Sequence, residues 1–173
     1  GPWKIYRVDD SDVVVPLTYQ PVVVEGRSGE QRERNLELGT SWFQQSDEWA
    51  AMPADDGPAE WQRIEVQVDL DRQVGTAPME PGRKVDIVVP AEIIERVALP
   101  AITISNYEMG DQDLSFDVSQ IGVPVLVKMS YFPNWQVEGA QGPYRIAPNF
   151  MVVVPTATHV SFHYEASASD KFF

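Results

Sequence analysis

The sequence predicts an all-β fold: a β-sandwich or jelly roll, galactose-binding-like or Ig-like, with one or two short helical turns. Three observations carry that expectation. Apolar residues recur with a period of two: Ile64, Val66, Val68 and Leu70; then Leu114, Phe116 and Val118; then Val160, Phe162 and Tyr164. Between them lie β-branched runs such as VVVPLTYQPVVVE, KVDIVV and FMVVVP. The 14 prolines and 11 glycines are scattered, as turns between short strands require.

In chain order the pattern places strands near 3–8, 12–17, 21–25, 63–70, 84–89, 101–105, 113–119, 123–132, 134–138, 149–154 and 158–164. Helix is scarce. Residues 41–51 (SWFQQSDEWAA) suit a short helix with Ser41 as N-cap. Residues 91–99 (AEIIERVAL) read equally as a turn of helix or a strand. GRSGEQRERN (26–35) and MPADDGPAE (52–60) read as polar loops.

The 173 residues, 43% of them hydrophobic, suit one domain with a substantial core. Gly1-Pro2 has the look of a tag remnant and 165–173 reads as a tail. The net charge of −13 repels phosphate backbones, so no nucleic-acid partner is expected. No apolar run approaches the roughly 20 residues needed to span a bilayer. The absence of cysteine excludes disulfides, thiolate metal sites and cysteine nucleophiles.

Catalytic signatures are sparse. There is no G-x-S-x-G elbow, no phosphate-binding P-loop and no dinucleotide fingerprint. His159 and His163 are four apart, but on a strand that separation is roughly 13 Å, too far for one metal. They are expected to be solvent-facing strand histidines. The carboxylate clusters Asp9/Asp10/Asp12, Asp55/Asp56 and Asp111/Asp113/Asp117 are either solvated turns or oxygen-rich calcium loops, with Asp111 and Asp113 the favoured calcium ligands.

The aromatics offer another kind of site, because sugars stack on exposed rings while polar groups read their hydroxyls. Trp42 and Trp49 lie in an irregular stretch and are expected to be exposed. SYFPNWQVEGAQGPYR (130–145) reads as the hairpin that closes the sandwich, with Tyr131 and Trp135 in the core and Tyr144 left as the ring most available to a ligand.

PVLVKMSYFPNWQVEGAQGPYRIAPNFMVVVPTATHVSFHY, with WKIYRVDDSDVVVPLTYQPVVVEG and GPAEWQRIEV, resembles the extracytoplasmic region of actinobacterial polytopic membrane proteins labelled pyruvoyl-tetrahydropterin-synthase-related. The closing pattern is also similar to YfhO-like, glycosyltransferase-like membrane proteins. The resemblance runs from Trp3 to about Tyr164. Pterin synthase chemistry needs three zinc-binding histidines and a cysteine; this chain has two histidines and no cysteine. The resemblance therefore implies a non-catalytic accessory domain on the outer face of the plasma membrane, part of a membrane-anchored chain. Its implied partners are the transmembrane portion of the parent and cell-envelope polysaccharide. Trp42, Trp49, Trp135 and Tyr144 are the glycan-stacking candidates under that reading. A structural domain that packs on the parent's membrane portion or another partner is the alternative.

Overall fold

The computed structural model describes residues 11–26, 30–75 and 84–165. The strand expected near 3–8, Asp9, Asp10, Gly1-Pro2 and the tail beyond 165 lie outside them.

Among the described residues two sheets and one α-helix make the fold. The strands are β1 (Val14–Pro16), β2 (Val22–Glu25), β3 (Pro53–Ala54), β4 (Arg63–Gly75), β5 (Lys84–Pro90), β6 (Ile104–Met109), β7 (Asp113–Val118), β8 (Val125–Val127), β9 (Trp135–Glu138), β10 (Ala140–Ile146), β11 (Phe150–Pro155) and β12 (His159–Tyr164). An eight-stranded sheet runs β1-β8-β11-β10-β3-β2-β4-β5, and a four-stranded sheet runs β6-β7-β12-β9. β2 pairs parallel with β3 and β4; the other pairs are antiparallel.

The expected period of two is what the sheets use, except that Leu70, beyond Val68 where the β4–β5 register shifts, is 90% exposed instead of facing inward with Ile64. Leu114, Phe116, Val118, Val160 and Phe162 point inward against Val14, Val125, Val127, Met151 and Val153, a core shared by both sheets. Their alternates Asp113, Ser115, Asp117, His159, Ser161 and His163 line the outer face of the four-stranded sheet. The histidines are exposed there, as expected.

Helix α1 (Gln31–Gln44) departs from expectation. The loop assigned to 26–35 holds its first turns, and 41–51 holds only its end and a 3-10 turn at Ser46–Glu48. Ser41 is not an N-cap. It lies inside the helix and is fully buried, accepts a hydrogen bond from the Val88 backbone N–H at 2.8 Å and donates to the Glu37 carbonyl at 2.6 Å. Leu38, with Trp42 packed beside it, joins Val22, Ile64 and Val88 in a second core. Residues 91–99 are neither helix nor strand; a bridge from Ala98 to Tyr19, hydrogen bonds such as Ala91 N–H to the Glu65 carbonyl and Leu99 N–H to the Thr18 carbonyl, and buried Ile94 in the second core hold them to the chain.

The 130–145 segment is also corrected. It is not a hairpin within one sheet. β9 ends in the four-stranded sheet and β10 begins in the eight-stranded one, so the chain turns a corner at Gly139. Gly139 sits at φ 78°, and a Cβ there would collide with the His159 carbonyl, so glycine is required.

Register shows how the large sheet is covered. One cross-strand row reads Val14, Val127, Met151, Arg145. Its first three members lie under the four-stranded sheet, and the fourth emerges beyond it. Alternation puts Val22 and Val24 on this same face, under α1, while Val23, Ala54 and Ile146 point the other way into a third cluster around Trp61. The small sheet and the helix thus cover adjacent halves of one face, with a seam between them.

Candidate functional site

The seam is where polar groups concentrate. Arg145 leaves the apolar row just where the small sheet ends. The Asp55 backbone N–H donates to the Arg145 carbonyl at 3.0 Å, which puts Asp55 beside it at the end of β3. Asn35, itself buried, comes down from the first turns of α1 and hydrogen-bonds to the Asp55 carboxyl. The helix approaches closely enough for this because residue 39 is glycine: a Cβ there would lie 2.6 Å from the Pro148 carbonyl oxygen.

Burial is the main influence on Asp55 and pushes its pKa up. Arg145, Arg34 and the Asn35 hydrogen bond oppose that shift without cancelling it, and Asp56 adds to it. Asp55 Oδ2 is buried and finds no hydrogen-bond partner among the described residues. Arg145 is lowered, chiefly by burial, while Asp55 and Tyr131 act to restore it. Its guanidinium stands 6.0 Å from the Tyr131 ring centroid, within cation–π range.

Toward solvent the seam opens into a pocket of about 270 Å³ lined by Val24, Gly26, Gln31, Arg34, Asn35, Leu38 and Asp55. Gln31 and Asn35 contribute amides, Arg34 a guanidinium and Asp55 a carboxyl, while Val24 and Leu38 form an apolar wall. Such a set accepts and donates hydrogen bonds within one small concavity.

The aromatic candidates are not gathered there. Trp49, expected to be exposed, has 4% of its surface accessible and belongs to the core under α1. Trp135, 8% accessible, packs edge-on to Phe162 and Tyr164, at 6.3 and 5.3 Å. Neither ring has a face free to stack on a sugar. Trp42 is half-buried on the helix core and edge-on to Phe43 at 5.4 Å. Tyr144 lies on the opposite face of the large sheet, 5.8 Å edge-on to buried Trp61, and burial followed by Asp56 and Glu60 raises its pKa. The four therefore form no common platform. The irregular stretch misled the expectation for Trp49, because the segment after α1 folds back over the sheet rather than outward.

Asp111 and Asp113 are exposed at the β6–β7 turn, where Gly110 N–H donates to the Asp113 carbonyl at 2.9 Å. Among the described residues no three His, Asp or Glu side chains are grouped to hold a metal ion. Asp117 is instead tied to its neighbours: Asn106 Nδ2 donates to Oδ2 at 2.6 Å, and His159 Nδ1 lies 2.7 Å from Oδ1. These contacts, Asn106 first, lower the Asp117 pKa. The pair stands on an open sheet face.

Arg34, Asn35 and Arg145 were not anticipated as site residues, and Asp55 was noted only as half of an acidic turn. A signal existed: Gln31, Asn35, Leu38 and Trp42 recur at helical spacing and share one face of α1. Among the described residues no helix is long and apolar enough to cross a membrane. Comparison with known proteins gives no match: no family model, no curated protein and no solved structure is similar to this chain.

Proposed function

We propose that the chain is a non-catalytic accessory domain of the galactose-binding-like or Ig-like sandwich type. It sits on the extracytoplasmic side of a membrane-anchored protein and binds cell-envelope glycan in the seam pocket between α1 and the large sheet. One observation carries the reading: a concave site that combines a carboxyl, a guanidinium and two amides with the Val24–Leu38 wall. Saccharides present hydroxyls and C–H faces together, and that lining offers partners for both. The aromatic platform is replaced as the binding surface by this pocket. Isotope-labelled protein titrated with arabinan, galactan and mannan fragments is expected to show saturable shifts at Gln31, Asn35, Leu38 and Asp55. A folded spectrum that stays unchanged to millimolar glycan rejects the proposal.

A second reading is favoured by Leu70 and Ile93, each 90% exposed. Aliphatic side chains so far in water suit a surface that packs on the parent's membrane portion or on another partner. Cross-linking from Leu70→Cys and Ile93→Cys in the membrane-anchored protein tests it; cross-links confined to lipid or absent reject it.

A further inference from the structure

We infer that Leu70 is a preformed knob for a protein partner, one that offers an apolar socket rimmed by lysine or arginine. The inference deepens the second reading above, in which Leu70 belongs to a packing surface, and rests on it.

The backbone comes first. β4 and β5 pair Val68 with Val88 and then Gln73 with Asp86, so residues 69–72 stand opposite Ile87 alone. That surplus makes a bulge, and a bulge re-aims the side chains it carries. Leu70 is turned outward and is 90% exposed. The bulge is pinned from several sides. Asp69 Oδ1 accepts from the Asp71 backbone N–H at 3.1 Å. Asp69 Oδ2 accepts from Gln45 Nε2 at 3.4 Å and lies 3.5 Å from Arg72 Nε. Arg72 Nη1 lies 3.6 Å from Glu48 Oε1. The knob is thus tied to the end of α1 and to the 3-10 turn that follows it. That end of α1 carries Phe43, a second apolar side chain with 68% of its surface exposed. A side chain already held in one position gives up little freedom when a partner closes on it.

Charge names the partner. Around the knob the described residues place Asp47, Glu48, Asp69 and Asp71 against one cation, Arg72, which already bridges Asp69 and Glu48. Lysine or arginine on a partner would meet that rim with attraction. Anionic headgroups would meet it with repulsion, so a lipid surface fits poorly. A second copy packed knob to knob would set the same carboxylates against each other. An apolar socket takes the leucine and keeps water out around it.

The experiment places the photo-cross-linker benzoylphenylalanine at position 70 of the membrane-anchored protein and maps the cross-linked peptides at about 50 mM and about 500 mM salt. The expected result is a cross-link to one protein segment whose apolar residues are flanked by Lys or Arg, with a yield about tenfold lower at the higher salt. Asp47→Lys combined with Asp71→Lys leaves every pin of the bulge in place and is expected to lower the yield by a similar factor. A cross-link to a protein segment without basic residues, or one that salt and charge reversal leave unchanged, overturns the inference but keeps the packing surface. So does a cross-link to the same face of a second copy. A cross-link to lipid alone, or none at all, overturns both.

Discussion

The large sheet is covered twice on one face, and the two covers are built differently. Under the four-stranded sheet every inward position is apolar, from Val14 and Met151 to Phe116 and Phe162. Under α1 the cover mixes Leu38 and Trp42 with buried Asn35, Ser41 and Gln45. The sheet-on-sheet half is closed by apolar side chains that interdigitate between the two inner faces. The helix half needs backbone partners as well: Ser41 bonds to Val88 N–H, and Gly39 lets the helix reach Pro148. Where a helix meets a sheet beside another sheet, a gap remains, and polar chemistry gathers there. The first half holds the fold; the second holds the candidate site.

The comparison breaks most visibly in the first half. Phe162→Ala removes a fully buried ring from the shared core and is expected to cost about 3–5 kcal/mol, read by denaturant unfolding. Leu38→Ala strikes the second core and is expected to cost about 2–5 kcal/mol, toward the low end because solvent at the pocket wall limits the cavity. If Leu38→Ala proves the more damaging of the two, the division into a fold half and a site half is wrong.

Gly39→Ala sharpens the point. In a helix interior alanine gains about 1 kcal/mol over glycine. Here the added methyl meets the Pro148 carbonyl at 2.6 Å, and overpacking costs about 1–3 kcal/mol. The net expectation is a loss of about 1 kcal/mol, with α1 displaced from the seam; a gain in stability would show that the contact is soft.

Two smaller effects depend on pH. Asp55 is raised in the folded state, mainly by burial, so its contribution to stability is full below the ordinary carboxylate pKa and is lost as pH rises through the folded value. Asp55→Asn is therefore expected to raise the melting temperature at pH 7 and to leave it unchanged near pH 3. Asp117 has the opposite sign. Its pKa is lowered, first by Asn106 and then by His159, so its stabilisation is present at neutral pH and fades as pH falls below the ordinary carboxylate value. Asp117→Asn is expected to lower stability slightly at pH 7 and not at all in strong acid. Parallel melting curves for the two variants across pH 3–7 separate these signs.

The two halves also differed in how far their residues could be read from sequence. Strands β4, β7 and β12 follow alternation, which one wet and one dry face impose directly, while β2, β5 and β11 are legible as β-branched runs, β2 and β11 being largely buried on both faces. α1 did not stand out because its buried face includes Asn35, Gly39 and Ser41, which carry no hydrophobic signal. β10 was hidden because GAQGPYR reads as turn chemistry, yet a bulge between Gln141 and Tyr144 carries it into the sheet. Tyr131 was legible as a core neighbour from its phase with Val125, Val127 and Met129, and Trp135 from its place at the start of a strand after the Pro133-Asn134 turn. The seam was not, since Asn35, Asp55 and Arg145 come from three separate stretches and meet only through the β3–β10 pairing and the helix crossing.

One further consequence follows from the position of β12. It lies between β7 and β9, and the chain leaves it at Glu165, whose backbone N–H bonds to the Asn134 carbonyl and whose carbonyl accepts from the Asn134 side chain. Tension applied to the chain beyond Glu165 meets that two-bond clamp first, and then hydrogen-bond ladders on both sides of one strand. Both ladders must rupture before the strand comes free. A domain that works while tethered would have a mechanically fortified anchor on this side, and a pulling experiment would find its highest resistance there.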